Sequence, residues 1–352
     1  MTSLRLPSRL TVAALALLAG LTASCSKQEP AAGSSAAPAG KKIVIGLSLD
    51  TLKEERWQHD RDIFVAEAGK LGAEVVVLSA NSDDTAQVRD VQSLISRGVS
   101  VLVVVPHNGD ALDRAVTDAN AAKIPVIAYD RLIMKANIDY YLTFDNVNVG
   151  EEQAKYAAAH LPAGRKAKVV RIYGAPTDNN AKLFKEGQDK IVNQLVKDGK
   201  IEVVHEDWAT DWKPDVAKRI MNAAITKAGR DIDIVIASND GTAGGAIQAL
   251  IEEGLAGKVL VTGQDAELAA CQRIMAGTQA MTIYKPLKKL AELAAKVAVD
   301  VAKGSKPSAG SLLNNGLKDV PSIFEKVIAV NKDNMMATVV ADGFQKAEDL
   351  KK

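Results

Sequence analysis

Short apolar runs alternate with longer segments of helical period along most of this chain. The runs are rich in Val and Ile and too short for most helices, which is typical of strands buried on both faces. The predicted strands are residues 42–49, 74–78, 101–105, 125–129, 140–144, 168–172, 201–205, 232–237, 259–263, 281–285 and 326–330. This alternation indicates βαβ units, whose parallel sheet is covered by helices on both faces.

Segments of helical period separate these runs. The predicted helices are residues 60–71, 85–97, 111–122, 149–160, 181–196, 214–227, 242–253 and 286–303. One open sheet with so many strands is uncommon in a chain of 352 residues. The sequence therefore predicts an α/β fold with two similar doubly wound parallel-sheet lobes, and residues 145–150 lie between the two series.

The first 40 residues follow a different pattern. Arg5 and Arg9 precede an apolar run at residues 10–21, and small residues follow before Cys25, which is typical of a secretory leader. The run is shorter than the ~20 apolar residues that a membrane span needs. We expect residues 1–24 to be a signal peptide and residues 25–40, rich in Ala, Ser, Gly and Pro, to be a flexible tether.

The sequence LTASC resembles a bacterial lipoprotein processing box, in which the cysteine takes a lipid after cleavage. Leu21 stands four positions before Cys25, one more than in the usual pattern. Ordinary cleavage to a soluble periplasmic protein is the alternative. Both predict an exported, periplasmic protein, with lipid attachment at Cys25 in the first case.

Composition narrows the class of function. The chain has 44 basic and 43 acidic residues and no basic run, so it carries no electrostatic footprint for nucleic acid. With Cys25 processed, Cys271 stands alone, and the four histidines lack metal-ligand spacing. The glycine-rich residues 241–245 match neither common nucleotide-binding pattern. We expect no cofactor and no metal.

Polar or aromatic residues follow most of the predicted strands. Because the carboxyl ends of parallel strands face one crevice, these side chains should converge on a ligand site. They are Arg56, Trp57, Asp130, Arg131, Trp208, Trp212, Asn239, Asp240, Asp265 and Lys285. Indoles, carboxylates, amides and fixed cations, with no evident nucleophile, suit holding a neutral polyhydroxylated molecule better than transforming it.

Several stretches match motifs of one known family. They are ERWQHDRDIF, SAN, AYDR, FDN, DNNAKLF, ASNDGTAGGAIQAL, GQDA, AGTQAMTIYKPL and LNNGLKDVPS, and they span nearly all of the chain after the tether. The chain thereby resembles the ribose/galactose-type sugar-binding proteins of bacterial ABC transporters, which are type I periplasmic binding proteins.

The resemblance implies two lobes joined by a three-segment hinge, with the sugar in the cleft between them. The first lobe would hold residues 41–145 and 285–322, and the second residues 146–284 and 323–352. The implied protein is a monomer that closes over D-xylose or a closely related aldose and delivers it to an ABC permease in the inner membrane. The resemblance implies a binding protein and not an enzyme.

The resemblance also assigns residues to the sugar. It adds Asp178 and Asn180 at a helix start, where capping is the alternative role for one of them. It makes Trp212 an aromatic wall and leaves Trp208 structural. Arg56, Trp57, Asp130, Arg131, Asn239, Asp265 and Lys285 complete the expected set. The charges nearly balance, which suits a neutral sugar.

Other functions use the same fold. A sugar-sensing regulatory or chemoreceptor-coupled protein would bind the same ligand without a transport role. A repressor core should begin with a helix-turn-helix, whereas this chain begins with an apparent export leader. An enzyme would need a catalytic constellation, and the sequence shows none. Aldoses differ by single hydroxyl or hydroxymethyl groups, so the sugar's identity is the least determined point.

Overall fold

The computed structural model of the chain describes residues 42–351. The expected signal peptide at residues 1–24, the tether at 25–40 and the lipid site at Cys25 lie outside the described residues. Within residues 42–351, no helix combines the length and the apolar character that a membrane span requires.

A seven-stranded sheet forms the centre of the first lobe. Its strands are β1 (Ile43–Leu49), β2 (Ala73–Ser79), β3 (Val101–Val104), β4 (Val126–Tyr129), β5 (Tyr140–Phe144), β11 (Ser311–Asn314) and β12 (Asp319–Glu325). They lie in the order β11-β12-β5-β4-β3-β1-β2. Every neighbouring pair is parallel except β11 with β12.

A four-stranded parallel sheet forms the centre of the second lobe. It consists of β6 (Ala167–Tyr173), β7 (Ile201–Trp208), β8 (Ile234–Ala237) and β9 (Leu260–Val261), in the order β7-β6-β8-β9. β10 (Thr282–Tyr284) and β13 (Ile328–Val330) form a separate antiparallel pair. The chain passes between the lobes after β5, after β10 and after β12.

Helices cover both faces of each sheet. They are α1 (Glu55–Lys70), α2 (Asp84–Ser96), α3 (Asp113–Ala121), α4 (Asn146–Ala159), α5 (Asn179–Lys197), α6 (Pro214–Ala228), α7 (Asp240–Glu252), α8 (Leu268–Ala276) and α9 (Leu287–Ala302). Shorter helical turns lie at Thr210–Trp212, Met336–Val340 and Asp349–Lys351. Although α9 follows β10 in the chain, it packs against α1 in the first lobe.

Alternate residues of the central strands face opposite helix layers. In β3, Val101 and Val103 join the core beneath α1 and α9, whereas Leu102 and Val104 join the core beneath α2 and α3. Burial on both faces explains why the strands read as nearly continuous apolar runs. The predicted α/β class with doubly wound sheets is confirmed.

The structure departs from the predicted elements in two places that matter for the site. Helix α1 begins at Glu55, five residues before the predicted start at residue 60, so Arg56 and Trp57 lie in its first turn. The apolar period begins later because this turn presents polar side chains to a buried site. The helix start is therefore hidden from a hydrophobicity pattern.

The hairpin of β11 and β12 was not predicted at all. Most of its side chains are partly or fully exposed, and it contains Pro321, so it lacks the apolar signal of the inner strands. Strand β12 continues to Glu325, where it pairs with Phe144 of β5. The first sheet thus extends three residues beyond the expected lobe boundary at residue 322.

Candidate ligand-binding site

The carboxyl ends of the strands in both lobes meet at one cavity. The ten residues predicted to contact the ligand all line it: Arg56, Trp57, Asp130, Arg131, Asp178, Asn180, Trp212, Asn239, Asp265 and Lys285. The structure therefore places them together in one wall. Their role as ligand contacts stays a prediction.

Three carboxylates hold the guanidinium group of Arg56 in place. Its Nη2 donates to Asp60 Oδ2 at 3.1 Å and to Asp130 Oδ2 at 2.7 Å. Its Nη1 lies 3.6 Å from Asp265 Oδ1 in the second lobe. Burial lowers the pKa of Arg56, but these carboxylates outweigh that effect and raise it well above its usual range.

Trp57 lies beside the two arginines. The guanidinium carbon of Arg56 is 4.1 Å from the centre of its ring, and that of Arg131 is 5.1 Å away. A cation over an indole face is attracted by the ring quadrupole. Trp57 thus orients both guanidinium groups as well as lining the cavity.

Asp130 closes β4 in a left-handed backbone conformation, with φ of 59°. Such a conformation is unfavourable for a residue with a Cβ and persists when the surroundings fix it. Its carbonyl oxygen accepts hydrogen bonds from Thr143 Oγ1 at 2.7 Å, Tyr141 OH at 3.0 Å and Asn180 Nδ2 at 3.0 Å. This arrangement directs the next residue, Arg131, into the cavity.

Arg131 links the two lobes. Its Nη1 donates to Asp50 Oδ2 at 2.6 Å in the first lobe, and its Nε lies 2.8 Å from Asp178 Oδ2 in the second. Burial lowers the pKa of Arg131, but Asp178 and Asp50 raise it by more, so the guanidinium stays charged. Burial has the opposite effect on Asp178, whose pKa is raised although Arg131 lowers it.

Asp178 takes the capping role that the sequence left open, and its second oxygen binds other residues of the cavity. One oxygen accepts from the backbone nitrogen of Asn180 at 2.8 Å and caps α5. The other accepts from Trp212 Nε1 at 3.2 Å and faces Arg131. Asn180 itself binds mainly to protein, because its Nδ2 donates to Asp130 and its Oδ1 accepts from Asn146 at 3.0 Å.

Trp212 forms an aromatic wall in the second lobe. Its backbone φ is 57°, and its ring meets Phe184 edge-on at 6.2 Å between centroids. A Cβ at Gly174 would overlap the indole ring, so a residue without a side chain is required there. Trp208 instead packs on Tyr173 at 4.9 Å, in the structural role expected for it.

Asn239, Asp265 and Lys285 complete the second half of the cavity. Asn239 caps α7, and its Oδ1 accepts from the backbone nitrogen of Thr242 at 2.9 Å, which leaves its Nδ2 as the group available to a ligand. Lys285 Nζ lies 2.8 Å from Asp265 Oδ1. These groups are almost fully buried, so they offer donors and acceptors away from bulk water.

Three cavity residues were missed by sequence reasoning: Glu54, Phe184 and Gln264. Each stands close in sequence to predicted contacts, and Gln264 directly precedes Asp265. Phe184 and Gln264 both fall in family-like stretches, so an available signal was not used. Glu54 carried no signal, because it lies outside the family-like stretches.

The charge of the lining argues against an anionic ligand. Three cations, Arg56, Arg131 and Lys285, face four carboxylates, those of Glu54, Asp130, Asp178 and Asp265. An anion would need an excess of cations. Within residues 42–351, no group of three or more His, Cys, Asp or Glu side chains is placed to hold a metal ion.

A second set of contacts between the lobes surrounds the cavity and is called the rim here: Lys53, Glu55, His107, Asp211 and Leu268. His107 Nε2 lies 3.3 Å from Asp211 Oδ1, and Lys53 Nζ donates to the Asp211 carbonyl at 2.7 Å. Glu55 accepts from the backbone nitrogen of Leu268 at 2.8 Å. The structure therefore has the lobes in contact both inside and around the cavity.

His107 is the rim residue whose charge changes near neutral pH. Its Nδ1 lies 2.6 Å from Asp84 Oδ1 in its own lobe. Burial lowers the pKa of His107, but Asp50, Asp84 and Asp211 outweigh burial and raise it above its usual 6.5. A protonated His107 therefore strengthens its contact with Asp211.

Comparison with known proteins gives a consistent picture. A family model described as a periplasmic binding protein domain matches residues 45–306. The D-xylose-binding periplasmic protein of Escherichia coli K12 is 50% identical over 310 residues, covering 88% of this chain and 93% of that protein. The protein of the same name from Haemophilus influenzae is 49% identical over 310 residues, with coverage of 88% and 92%.

A solved structure shares the architecture. It is a carbohydrate transporter solute-binding protein from Chloroflexus aurantiacus in complex with D-glucose. The TM-score is 0.82 at 32% sequence identity, and the match covers 88% of this chain and 98% of that one.

Proposed function

Because this chain belongs to the periplasmic binding protein family, we propose that it is the substrate-binding component of an ABC importer. It binds D-xylose or a closely related aldose between its lobes and delivers the sugar to a permease in the inner membrane. The choice of D-xylose is supported by the names of the two relatives near 50% identity. The D-glucose complex of the similar structure supports the broader class of monosaccharides.

The observation that carries the proposal is the composition of the cavity wall. Trp212 presents an indole to the cavity, and a sugar ring packs its C–H face on such a surface. Asn239 and Lys285 donate hydrogen bonds, while carboxylates such as Asp265 accept them from hydroxyl groups. Both kinds of group are needed for a polyhydroxylated ligand, which is donor and acceptor at every hydroxyl.

Closure of the lobes follows from the pairs that span them. Arg131 to Asp178 at 2.8 Å and Arg56 to Asp265 at 3.6 Å each join one lobe to the other. These contacts form only when the lobes meet, so a ligand that touches their members favours the closed arrangement. A permease can then recognise the loaded form by its shape.

We propose a lobe division that follows the sheets. The first lobe holds residues 42–145 and 285–325, because β12 remains in the first sheet to Glu325. The second lobe holds residues 146–284 and 326–351. The hinge then consists of the three passages after β5, β10 and β12.

We further propose that the protein acts as a monomer in the periplasm, attached to the membrane by lipid at Cys25. The processing-box resemblance at LTASC supports this attachment. Mass spectrometry of protein isolated from bacterial membranes tests it. The expected result is a diacylglyceryl group on an N-terminal Cys25, and an unmodified mature protein in the soluble periplasmic fraction would contradict it.

Calorimetric titration with D-xylose, ribose, arabinose, glucose and galactose tests the function. We expect D-xylose to bind most tightly, with a dissociation constant of about 1 µM or below, which is about −8 kcal/mol. The sugar should be recovered chemically unchanged, because the proposal includes no catalysis. Failure to bind any of the five sugars, or conversion of the bound sugar, would contradict the proposal.

A further inference from the structure

Glu54 occupies a cap position without acting as a cap. It directly precedes α1, and its side chain makes no capping hydrogen bond. At the starts of α2, α4, α5 and α7, the corresponding side chain accepts a backbone hydrogen bond. The carboxylate of Glu54 lines the cavity between the lobes instead.

The carboxylate is buried and lacks hydrogen-bond donors. The residue is 7% exposed, and both oxygens are without a hydrogen-bond partner among the described residues. Lys53 Nζ lies 3.0 Å from Oε1, outside hydrogen-bond geometry, while it donates to the Asp211 carbonyl at 2.7 Å. A buried carboxylate without hydrogen-bond donors is energetically unfavourable unless another molecule supplies the donors.

Asp265 Oδ1 also lacks a hydrogen-bond partner, although Lys285 Nζ lies 2.8 Å away, whereas two other carboxylates of the cavity have donors. Asp130 accepts from Arg56 at 2.7 Å, and Asp178 accepts from Trp212 at 3.2 Å. Each therefore has a donor from the protein. Arg131 is close enough for its charge to interact with that of Glu54.

We propose that Glu54 is a specificity-determining residue that accepts hydrogen bonds from hydroxyl groups of the bound sugar. The inference rests on the function proposed above and extends it to a residue that the sequence did not indicate. A carboxylate can accept from two neighbouring hydroxyl groups at once. The site should therefore select sugars with free hydroxyl groups there and reject analogues in which one is replaced by hydrogen or fluorine.

A series of monodeoxy and monofluoro analogues of D-xylose, titrated into wild-type protein and into Glu54→Leu, tests this role. In the wild type, we expect at least one position at which removal of the hydroxyl weakens binding at least tenfold (about 1.4 kcal/mol). In Glu54→Leu, D-xylose should bind at least tenfold more weakly, and the penalty at that position should fall to less than threefold. Glu54→Gln should lie between the two proteins.

Asp62→Asn is the matched control, because Asp62 is an exposed carboxylate on α1, with 66% of its side chain accessible. It should bind every analogue as the wild type does. A thermal melt of each variant verifies folding, and the wild-type analogue series needs no variant at all. If the wild type binds D-xylose but Glu54→Leu keeps the same affinity and deoxy penalties, the role of Glu54 is refuted while the proposed function stands. If the wild type binds no aldose, both fail.

Discussion

The cavity and the rim join the same two lobes by different physical means. In the cavity, the ion pairs of Arg56 with Asp265 and of Arg131 with Asp178 are almost fully buried. At the rim, the groups that contact Asp211 are more exposed, although His107 itself is only 10% exposed while Lys53 is 39% exposed. Exposed pairs typically contribute about 0–1 kcal/mol, whereas breaking a buried pair costs about 3–5 kcal/mol.

The difference in burial indicates that the cavity pairs and the rim contacts have different roles. The cavity pairs fix the position of the groups that meet the ligand, and their disruption should affect both stability and binding. The rim contacts form on closure and contribute little free energy to it. They can therefore adjust the balance between open and closed forms. Substitutions in the two regions should therefore differ in size as well as in kind.

The largest effect is expected from Arg131→Met. This change leaves Asp50 and Asp178 buried without their shared counterion, so the free energy of unfolding should fall by about 3–5 kcal/mol. D-xylose binding should become undetectable. Urea unfolding and calorimetry measure the two effects.

Arg114→Met is the control for Arg131→Met, because Arg114 pairs with Asp118 at the surface and its side chain is 81% exposed. Its unfolding free energy should change by less than about 1 kcal/mol. Equal losses in the two variants would contradict the claim that burial separates cavity from surface pairs.

Gly174→Ala should have the next largest effect. The added Cβ overlaps the ring of Trp212 and displaces the aromatic wall. We expect D-xylose affinity to fall by about 10- to 100-fold, equivalent to about 1.4–2.8 kcal/mol. Tryptophan fluorescence in the ligand-bound state should change as well.

Gly69→Ala controls for the loss of a glycine, since a Cβ there contacts nothing within 4 Å. Gly69 lies near the end of α1, where alanine favours the helix, so binding should be unchanged. Wild-type affinity in Gly174→Ala would show that Trp212 does not form a wall against the sugar.

The smallest effect concerns pH and the rim. Protonated His107 strengthens the contact with Asp211 across the lobes, and the pKa of His107 is raised in the closed arrangement. The stabilisation of the closed form by protonated His107 is thus complete below pH 6.5. It is lost as the pH rises through the raised pKa of His107. Asp50 and Asp84 lie in the same lobe as His107, so only the share from Asp211 is linked to closure.

We therefore expect sugar affinity to weaken by no more than about fivefold (~1 kcal/mol) between pH 6 and pH 8.5. In His107→Gln, this dependence should be absent. Calorimetry in buffers of matched ionic strength checks the trend. An affinity that strengthens with rising pH, or an unchanged profile in His107→Gln, would contradict the role given to the rim.

The sequence predicted much of the site because parallel sheets place their strand ends together. Asp130, Asn239 and Asp265 could be chosen from their positions after apolar runs, and the structure places them in one cavity. Asp178 and Asn180 came from the family resemblance, since a helix start alone does not distinguish a cap from a ligand contact.

The remaining features depend on tertiary geometry that no local pattern contains. The early start of α1 and the hairpin of β11 and β12 lack an apolar period, so they could not be located. Glu54 lies outside the family-like stretches, and only its buried oxygens without hydrogen-bond partners distinguish it. Likewise, the need for glycine at position 174 arises from a tryptophan 38 positions later in the chain.

A crystal structure of the protein with D-xylose tests the central claim most directly. The account predicts one sugar between the lobes, with its ring against Trp212 and its hydroxyl groups hydrogen-bonded to Asn239 and Lys285. A sugar bound outside this cavity, or a complex in which Trp212 and Asn239 lie far from the sugar, would contradict it.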